Sequence, residues 1–263
     1  MVPFVIAVAL CVVRVEPGDC GDCAPQKLCA NHLSEEQAAL KAAAPELKSK
    51  DEATRIKALE KIAALKDSHE NAPSAAAANA LASGLTDASW QVRIATVKLL
   101  ANGQDHDTAV EELSKSFTDS RKDGVKWMTF ASRSGMTAEQ KTFAEYMKVT
   151  AEALAGLKDE RAAKALIEFL KKATGPMPEE MILPVIQAAG SLGTLPAFEI
   201  VVDRLAQSEG FGMGGSRAYH EVLVKTATAH GGKELPEWGQ GTAGKWKKWL
   251  DAHRSLFPAK VAA

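Results

Sequence analysis

Apolar residues recur along most of this chain at the spacing of amphipathic helices. Two sets fall at positions i, i+3, i+4 and i+7, namely Ala163, Leu166, Ile167 and Leu170, and then Phe198, Val201, Val202 and Leu205. Charged residues lie between them, so each predicted helix has one apolar face and one polar face. Beyond residue 34 no stretch alternates apolar and polar residues in the way typical of a strand. The pattern therefore predicts an all-α fold.

Short breaks separate the predicted helices. The segment 152–172, EALAGLKDERAAKALIEFLKK, ends one helix, turns at Lys158-Asp159 and begins the next helix at once. An aspartate suits the first N–H groups of a helix, and Gly156 and Gly193 lie where helices are expected to end. Because one pair of helices cannot bury both of its apolar faces, neighbouring pairs are expected to cover them.

The helix pairs form a repeat. Similar segments recur 36 and 38 residues apart, a period typical of stacked helical hairpins. Capping boxes at 34–37 (SEEQ) and 137–140 (TAEQ) predict two helix starts. The predicted hairpins are 35–66, 72–101, 106–117 with 138–156, 160–173 with 178–192, and 196–207 with 216–230. This predicts a leader at 1–33, a repeat region at 34–235 and a C-terminal cap at 236–263.

An insertion is predicted at 118–135, TDSRKDGVKWMTFASRSG, where it interrupts the third hairpin. It places Trp127, Met128 and Phe130, three large apolar residues, within a basic segment. Aromatic residues this close together favour an extra helix packed on the core. The alternative is a binding feature, because insertions in repeat proteins often lie on one face.

Three segments resemble known helical repeats. Residues 87–95, DASWQVRIA, resemble the turn and second helix of a HEAT repeat, and residues 51–59, DEATRIKAL, do so less fully. Residues 153–166, ALAGLKDERAAKAL, resemble the junction between repeats in the short HEAT-like family of the phycobilin-lyase type. The resemblance covers roughly residues 35–230. It is specific for architecture and says little about activity.

The resemblance implies a right-handed α-α superhelix, or solenoid, of about five HEAT-like hairpins with a C-terminal capping helix. In this family the turn aspartate and the following arginine form a structural ladder along the stack. By this resemblance we assign the ladder role to Asp87 with Arg93, and to Asp51 with Arg55. In such a stack the second helices are expected to line a concave surface, and our hypothesis is that a protein or peptide partner lies there.

The N-terminus and the charge balance bear on location and partner class. An apolar run extends through Val13, too short for a membrane-spanning helix but suited to the core of a secretory signal. No Lys or Arg precedes it and no clean cleavage site follows it. The alternative to the predicted export to the periplasm or medium is therefore a cytoplasmic protein with a misplaced start or a buried N-terminal segment. With 32 basic and 33 acidic residues, the chain lacks the excess of positive charge typical of nucleic-acid binders.

All four cysteines lie in the first 29 residues. Cys20, Cys23 and Cys29 form what we call the N-terminal cysteine cluster. A disulfide in an oxidising compartment is the first interpretation. A zinc site completed by His32 and a redox C-x-x-C motif are the alternatives, because a single C-x-x-C without a second matching pair does not decide between them.

No catalytic constellation is visible in the sequence. The six histidines form no H-E-x-x-H pair, and no serine lies in a G-x-S-x-G setting. The Gly-rich segment 208–220 could hold an anion with the help of Arg217. No Gly-Lys-Ser/Thr motif follows and no strand precedes it, so a loop between helices is the preferred interpretation. The sequence thus predicts no catalytic, cofactor-binding or metal-binding residue.

Three of the five tryptophans lie in the C-terminal segment, at Trp238, Trp246 and Trp249. Trp246 and Trp249 share a predicted helix face, and lysines fill the opposite face, as in a helix that closes the end of a stack. We therefore predict a non-enzymatic scaffold that binds a protein or peptide. A bilin-lyase-like enzyme or accessory factor, and a metal or redox role for the N-terminal cysteine cluster, are the alternatives. The chain has no cysteine within the repeats that would support the bilin-lyase-like alternative.

Overall fold

A computed structural model describes residues 26–65, 75–103, 105–128, 136–173, 178–210 and 216–261. Within these ranges the chain forms helices and no strands, which confirms the predicted all-α class. The helices are α1 (Gln26–Glu46), α2 (Glu52–Ala63), α3 (Ala75–Ala82), α4 (Trp90–Ala101), α5 (His106–Met128), α6 (Ala138–Gly156), α7 (Glu160–Lys172), α8 (Glu179–Ser191), α9 (Leu195–Gly210), α10 (Arg217–Ala229) and α11 (Thr242–His253). Short 3-10 turns follow α3 and α11.

The helices contact one another in series. The even-numbered helices α2, α4, α6, α8 and α10 pack each on the next, and the odd-numbered helices from α3 to α11 do the same. From α1 to α10, each helix also packs on its neighbour in the chain. Among the described residues, every extensive contact between helices joins elements no more than two places apart in the chain.

One apolar core runs through the whole series. It begins at Ala43 on α1 and continues through residues such as Leu59, Tyr146 and Phe198 to Phe257, beyond α11. Each helix contributes its apolar face to this core, as the i, i+3, i+4, i+7 spacing predicts. The backbone N–H of Leu195 donates to the carbonyl of Pro258 at 2.8 Å, so the last described residues return to the start of α9.

The turn that follows α6 is as short as the sequence predicts. Helix α6 ends at Gly156, Lys158 takes the left-handed conformation at φ 52°, and the Asp159 side chain accepts from the N–H of Arg161 at 2.7 Å. The predicted stop at Gly193 is confirmed by its φ of 64°.

The capping box at Thr137 is also confirmed. Its hydroxyl accepts from the N–H of Gln140 at 3.2 Å, while the Gln140 side chain accepts from the N–H of Thr137 at 2.8 Å. Thr137 thereby fixes the start of α6, the second helix of the third predicted hairpin.

The predicted helix start at Ser34 is wrong. Helix α1 begins eight residues earlier, at Gln26, so the predicted boundary between 33 and 34 lies inside a helix that also contains Cys29 and His32. Residues 26–33 contain no glycine or proline, and most of them are adequate helix formers, so the helix extends through them. The leader up to residue 25, with Cys11, Cys20 and Cys23, lies outside the described residues.

The third hairpin also differs from its prediction. Helix α5 continues without a break to Met128, so residues 118–128 extend its first helix and are not an interruption. Gly124 inside α5 costs only about 1 kcal/mol relative to alanine, which a helix of this length tolerates. The rest of the predicted insertion, including Phe130, lies at 129–135, outside the described residues.

Candidate binding surface

A groove of about 740 Å³ lies between α8 and α10 on the even-numbered layer. Its lining is rich in small and aliphatic side chains, with polar groups among them. The apolar part of the lining includes Leu183, Gly190, Ala218, Val222 and Ala229.

Gly190 sets the depth of this groove. A Cβ atom at this position would lie 2.4 Å from Cγ1 of Val222, so only glycine permits α8 and α10 to approach this closely. The Thr226 hydroxyl donates to the Gly190 carbonyl, at 3.2 Å, and to that of Val222, at 2.9 Å. The floor of the groove is therefore a fixed contact between two helices.

The charged side chains of the groove lie on α10. Glu221 is paired with Arg217 at 3.2 Å, and both side chains are exposed. Lys225 is exposed and forms no hydrogen bond or ion pair within the described ranges. His230 lies at one end, with its ring 5.0 Å from that of Phe257. The groove thus combines an aliphatic floor with one free ammonium group and a histidine.

Among the described residues, the predicted pairs Asp87–Arg93 and Asp51–Arg55 form no ion pair between their side chains, and Arg55 pairs with Asp87 instead. Arg55 binds the Asp87 carboxylate through Nε at 2.8 Å and Nη2 at 2.9 Å. Its Nη1 donates to the carbonyl of Ser49 at 2.9 Å, in the preceding turn. Both side chains of this ion pair are largely buried. Arg55 therefore joins the turns of the first two hairpins, as a ladder residue should.

The two other residues assigned to the ladder act locally. The Nε of Arg93 donates to the backbone carbonyl of Asp87 at 2.5 Å, and its guanidinium lies 4.1 Å from the Trp90 ring. Asp51 caps α2 by accepting from the N–H of Thr54 at 2.8 Å. The hydrogen bonds from Thr54 lower the pKa of Asp51.

A second ion-pair cluster, not predicted from the sequence, joins the starts of α5 and α7. Arg161 binds Asp107 at 2.6 Å and Asp159 at 2.9 Å, and His106 lies 3.3 Å from Asp159. Hydrogen bonds from Arg161 hold the pKa of Asp159 well below its usual range. The aspartates were visible in the sequence as helix caps, but their pairing across the stack depends on the packing of α5 on α7.

The tryptophans of the C-terminal segment differ in exposure. Trp246 is fully buried, and its Nε1 donates to Nδ1 of His220 at 2.9 Å. Trp249 is largely buried and donates to the carbonyl of Lys233 at 3.0 Å, whereas Trp238 is 37% exposed beside His220. Helix α11 packs on α9 and exposes its lysines, Lys245, Lys247 and Lys248.

The end of the Gly-rich segment forms the start of α10. Ser216 caps the helix by accepting from the N–H of Tyr219 at 3.4 Å and donates its own hydroxyl to Glu179 at 2.9 Å. Arg217, the residue that could assist an anion at this loop, pairs with Glu221 one turn further along α10. Residues 211–215 lie outside the described residues.

The described part of the chain brings no three histidine, cysteine, aspartate or glutamate side chains together as metal ligands. In the same part no helix is long and apolar enough to cross a membrane. Comparison with family models finds no matching family, and comparisons with curated proteins and with solved structures find no similar chain. The HEAT-like assignment therefore stays a prediction from the residues that suggested it.

Proposed function

We propose that this chain is an α-solenoid of five HEAT-like hairpins that binds a protein or peptide without catalysing a reaction. The groove between α8 and α10 is the part of the surface that we assign to the partner. The observation that carries the proposal is this groove, with its aliphatic floor and the free Lys225 on α10.

The order of contacts supports the proposed architecture. In a solenoid each repeat touches only its neighbours, and the second helices of successive hairpins form one continuous surface. The contacts from α2 to α10 by way of α4, α6 and α8 agree with this arrangement. Helix α11 packs on α9 at the end of the odd-numbered layer and exposes lysines, as a terminal cap does.

The side chains that line the groove support a peptide as the ligand. The volume of about 740 Å³ lies within the range of about 300–1,000 Å³ that is common for small-molecule sites, so the groove can hold a short segment of a peptide. Gln187 and Lys225 are exposed at the groove and can bind backbone carbonyls or an acidic side chain. Small aliphatic side chains of a peptide can then lie against Val222 and Ala218.

A selection of peptides against the whole protein tests this proposal. Random peptides displayed on phage are enriched on the purified chain, and the enriched peptides are measured on two variants. Ala229→Phe fills the groove at an exposed position, and Ala252→Phe adds the same ring at an exposed position of α11.

We expect the enriched peptides to bind the Ala252→Phe protein as they bind the wild type and to lose at least about tenfold in affinity on the Ala229→Phe protein, since the ring occupies their site. No enrichment, or equal binding to both variants, would count against the groove as the binding surface. The predicted export and the alternative roles of the N-terminal cysteine cluster stay predictions from the sequence.

A further inference from the structure

Arg204 on α9 is a buried cation whose hydrogen bonds go only to neutral groups. The residue is 5% exposed. Its Nη1 donates to the carbonyl of Ala173, at the end of α7, and to the amide oxygen of Gln207 at 2.7 Å. The Nε atom is buried and has no hydrogen-bond partner. Within the described residues, Nη2 has none either, so one whole edge of the guanidinium is unused.

The same chain contains this arrangement in a completed form. Arg55 also donates from Nη1 to a turn carbonyl, that of Ser49, and its Nε and Nη2 together grip the carboxylate of Asp87. Such bidentate hydrogen bonding is among the strongest ways in which a guanidinium binds a carboxylate. Arg204 matches Arg55 at Nη1 and lacks only the carboxylate.

Among the described residues, no side chain that interacts with Arg204 supplies that negative charge. The group that interacts electrostatically with Arg204 is Tyr219, and burial raises the pKa of Tyr219 to about 12, so its phenol is neutral. Segments 174–177 and 211–215, which lie outside the described residues, have the sequences TGPM and FGMGG, without an acidic residue. A buried charge without a counter-ion is costly, and an incoming anion would remove that cost.

We propose that the free edge of Arg204 is a binding site for a carboxylate, either a small free one or an acidic side chain of a partner. Gln207 is exposed and bonds to Nη1, so the guanidinium lies one side chain below the surface. The carboxylate of the ligand accepts from Nε and Nη2 as Asp87 does from Arg55. This site lies on α9 and is independent of the groove between α8 and α10.

Thermal unfolding of the whole protein in sodium acetate tests the site. The ionic strength is held constant with sodium chloride, and wild type is compared with Arg204→Met and Arg55→Met. Acetate should raise the Tm of the wild type saturably by about 2–5 °C, since it binds only the folded state. The Arg55→Met protein should be less stable yet keep this rise, whereas the Arg204→Met protein should lose it.

A wild-type Tm that does not respond to acetate, or an equal rise in the Arg204→Met protein, overturns the proposal. If the Arg204→Met protein does not fold, Gln207→Glu decides, because it places a carboxylate beside the guanidinium. We expect the Gln207→Glu protein to have a higher Tm than the wild type without acetate and a smaller rise in Tm when acetate is added. A Tm and an acetate response that are both the same as in the wild type contradict the site. A blocked peptide with one glutamate, compared with its glutamine counterpart, separates a side-chain ligand from a small free carboxylate.

Discussion

The buried hydrogen bond between Trp246 and His220 gives a direct test of how α11 is held on the rest of the helices. Replacing Trp246 with phenylalanine keeps an aromatic ring in the core but removes the indole N–H that donates to His220 at 2.9 Å. Trp246 is fully buried, and its ring lies edge-on to Phe198 and Trp249 at 5.7 and 5.4 Å between centroids. The substitution therefore changes both a hydrogen bond and the packing.

Two contributions set the expected loss of stability. His220 is 8% exposed, so its Nδ1 is left as a buried acceptor without a partner, which costs about 1–3 kcal/mol. The smaller ring leaves a cavity beside Phe198 and Trp249, which adds about 1 kcal/mol. The Trp246→Phe protein should thus lose about 2–4 kcal/mol in its free energy of unfolding.

A double-mutant cycle separates the hydrogen bond from the packing. Urea unfolding is followed by circular dichroism at pH 8 for Trp246→Phe, His220→Leu and the double variant. The double variant leaves neither partner unsatisfied, so its loss should be smaller than the sum of the two single losses by about 1–2 kcal/mol. Losses that add within about 0.5 kcal/mol would refute the reasoning.

The hydrogen bond between Trp246 and His220 should also make the free energy of unfolding decrease as the pH falls. Burial lowers the pKa of His220 below its ordinary value of 6.5, while Glu221 opposes and Arg217 adds to this effect. As the pH falls below about 6.5, the unfolded chain takes up this proton before the folded chain does. The stability due to neutral His220 is therefore full above that pH and is lost as the pH falls toward the folded pKa. A His220→Gln protein should lose less stability between pH 7.5 and pH 5.

Three further predictions concern the glycine at the contact of α8 with α10, the turn residue Lys158 and the N-terminal cysteine cluster. Gly190→Ala should destabilise the protein by about 1–3 kcal/mol in urea unfolding, because the new Cβ lies 2.4 Å from Cγ1 of Val222. The control Gly156→Ala has no atom within 4 Å of the new Cβ and should be neutral or slightly stabilising. Equal losses in the two proteins would contradict this account of the close contact between α8 and α10. Lys158→Gly should raise the Tm by about 2–4 °C in calorimetry, since glycine adopts the left-handed conformation at φ 52° more easily, and a lower Tm would oppose it. For the N-terminal cysteine cluster, we expect purified protein to contain oxidised thiols and no stoichiometric zinc, and elemental analysis that finds one zinc per chain would favour the alternative.

The succession of helices could be predicted because its signals are local. Apolar spacing, the capping box at Thr137 and the aspartate at Asp159 each act within a few residues, and the structure contains all three features. The failure at Ser34 has the same origin, since a capping box marks a helix start only if the chain before it is not already helical. Residues 26–33 are helical, so the motif lies inside α1.

The candidate sites could be predicted less well, because they depend on which helices meet. The contact between Gly190 and Val222 cannot be predicted from the sequence, because it depends on the packing of α8 on α10. Arg204 resembles any other helix arginine in the sequence, and its unused edge becomes apparent only when Ala173 and Gln207 are found on Nη1. The ladder aspartate Asp87 was predicted, yet its partner is Arg55, one hairpin earlier.

Distances between spin labels test the central claim, that helix pairs stack along one direction, most directly. Labels are placed at the exposed positions Lys57 on α2, Lys148 on α6 and Lys225 on α10, in a chain whose four cysteines are replaced by serine. Packed helices lie about 8–10 Å apart, so two steps from α2 to α6 predict about 20 Å and four steps to α10 predict about 35 Å. A distance from Lys57 to Lys225 no longer than that from Lys57 to Lys148 would contradict the stacked arrangement.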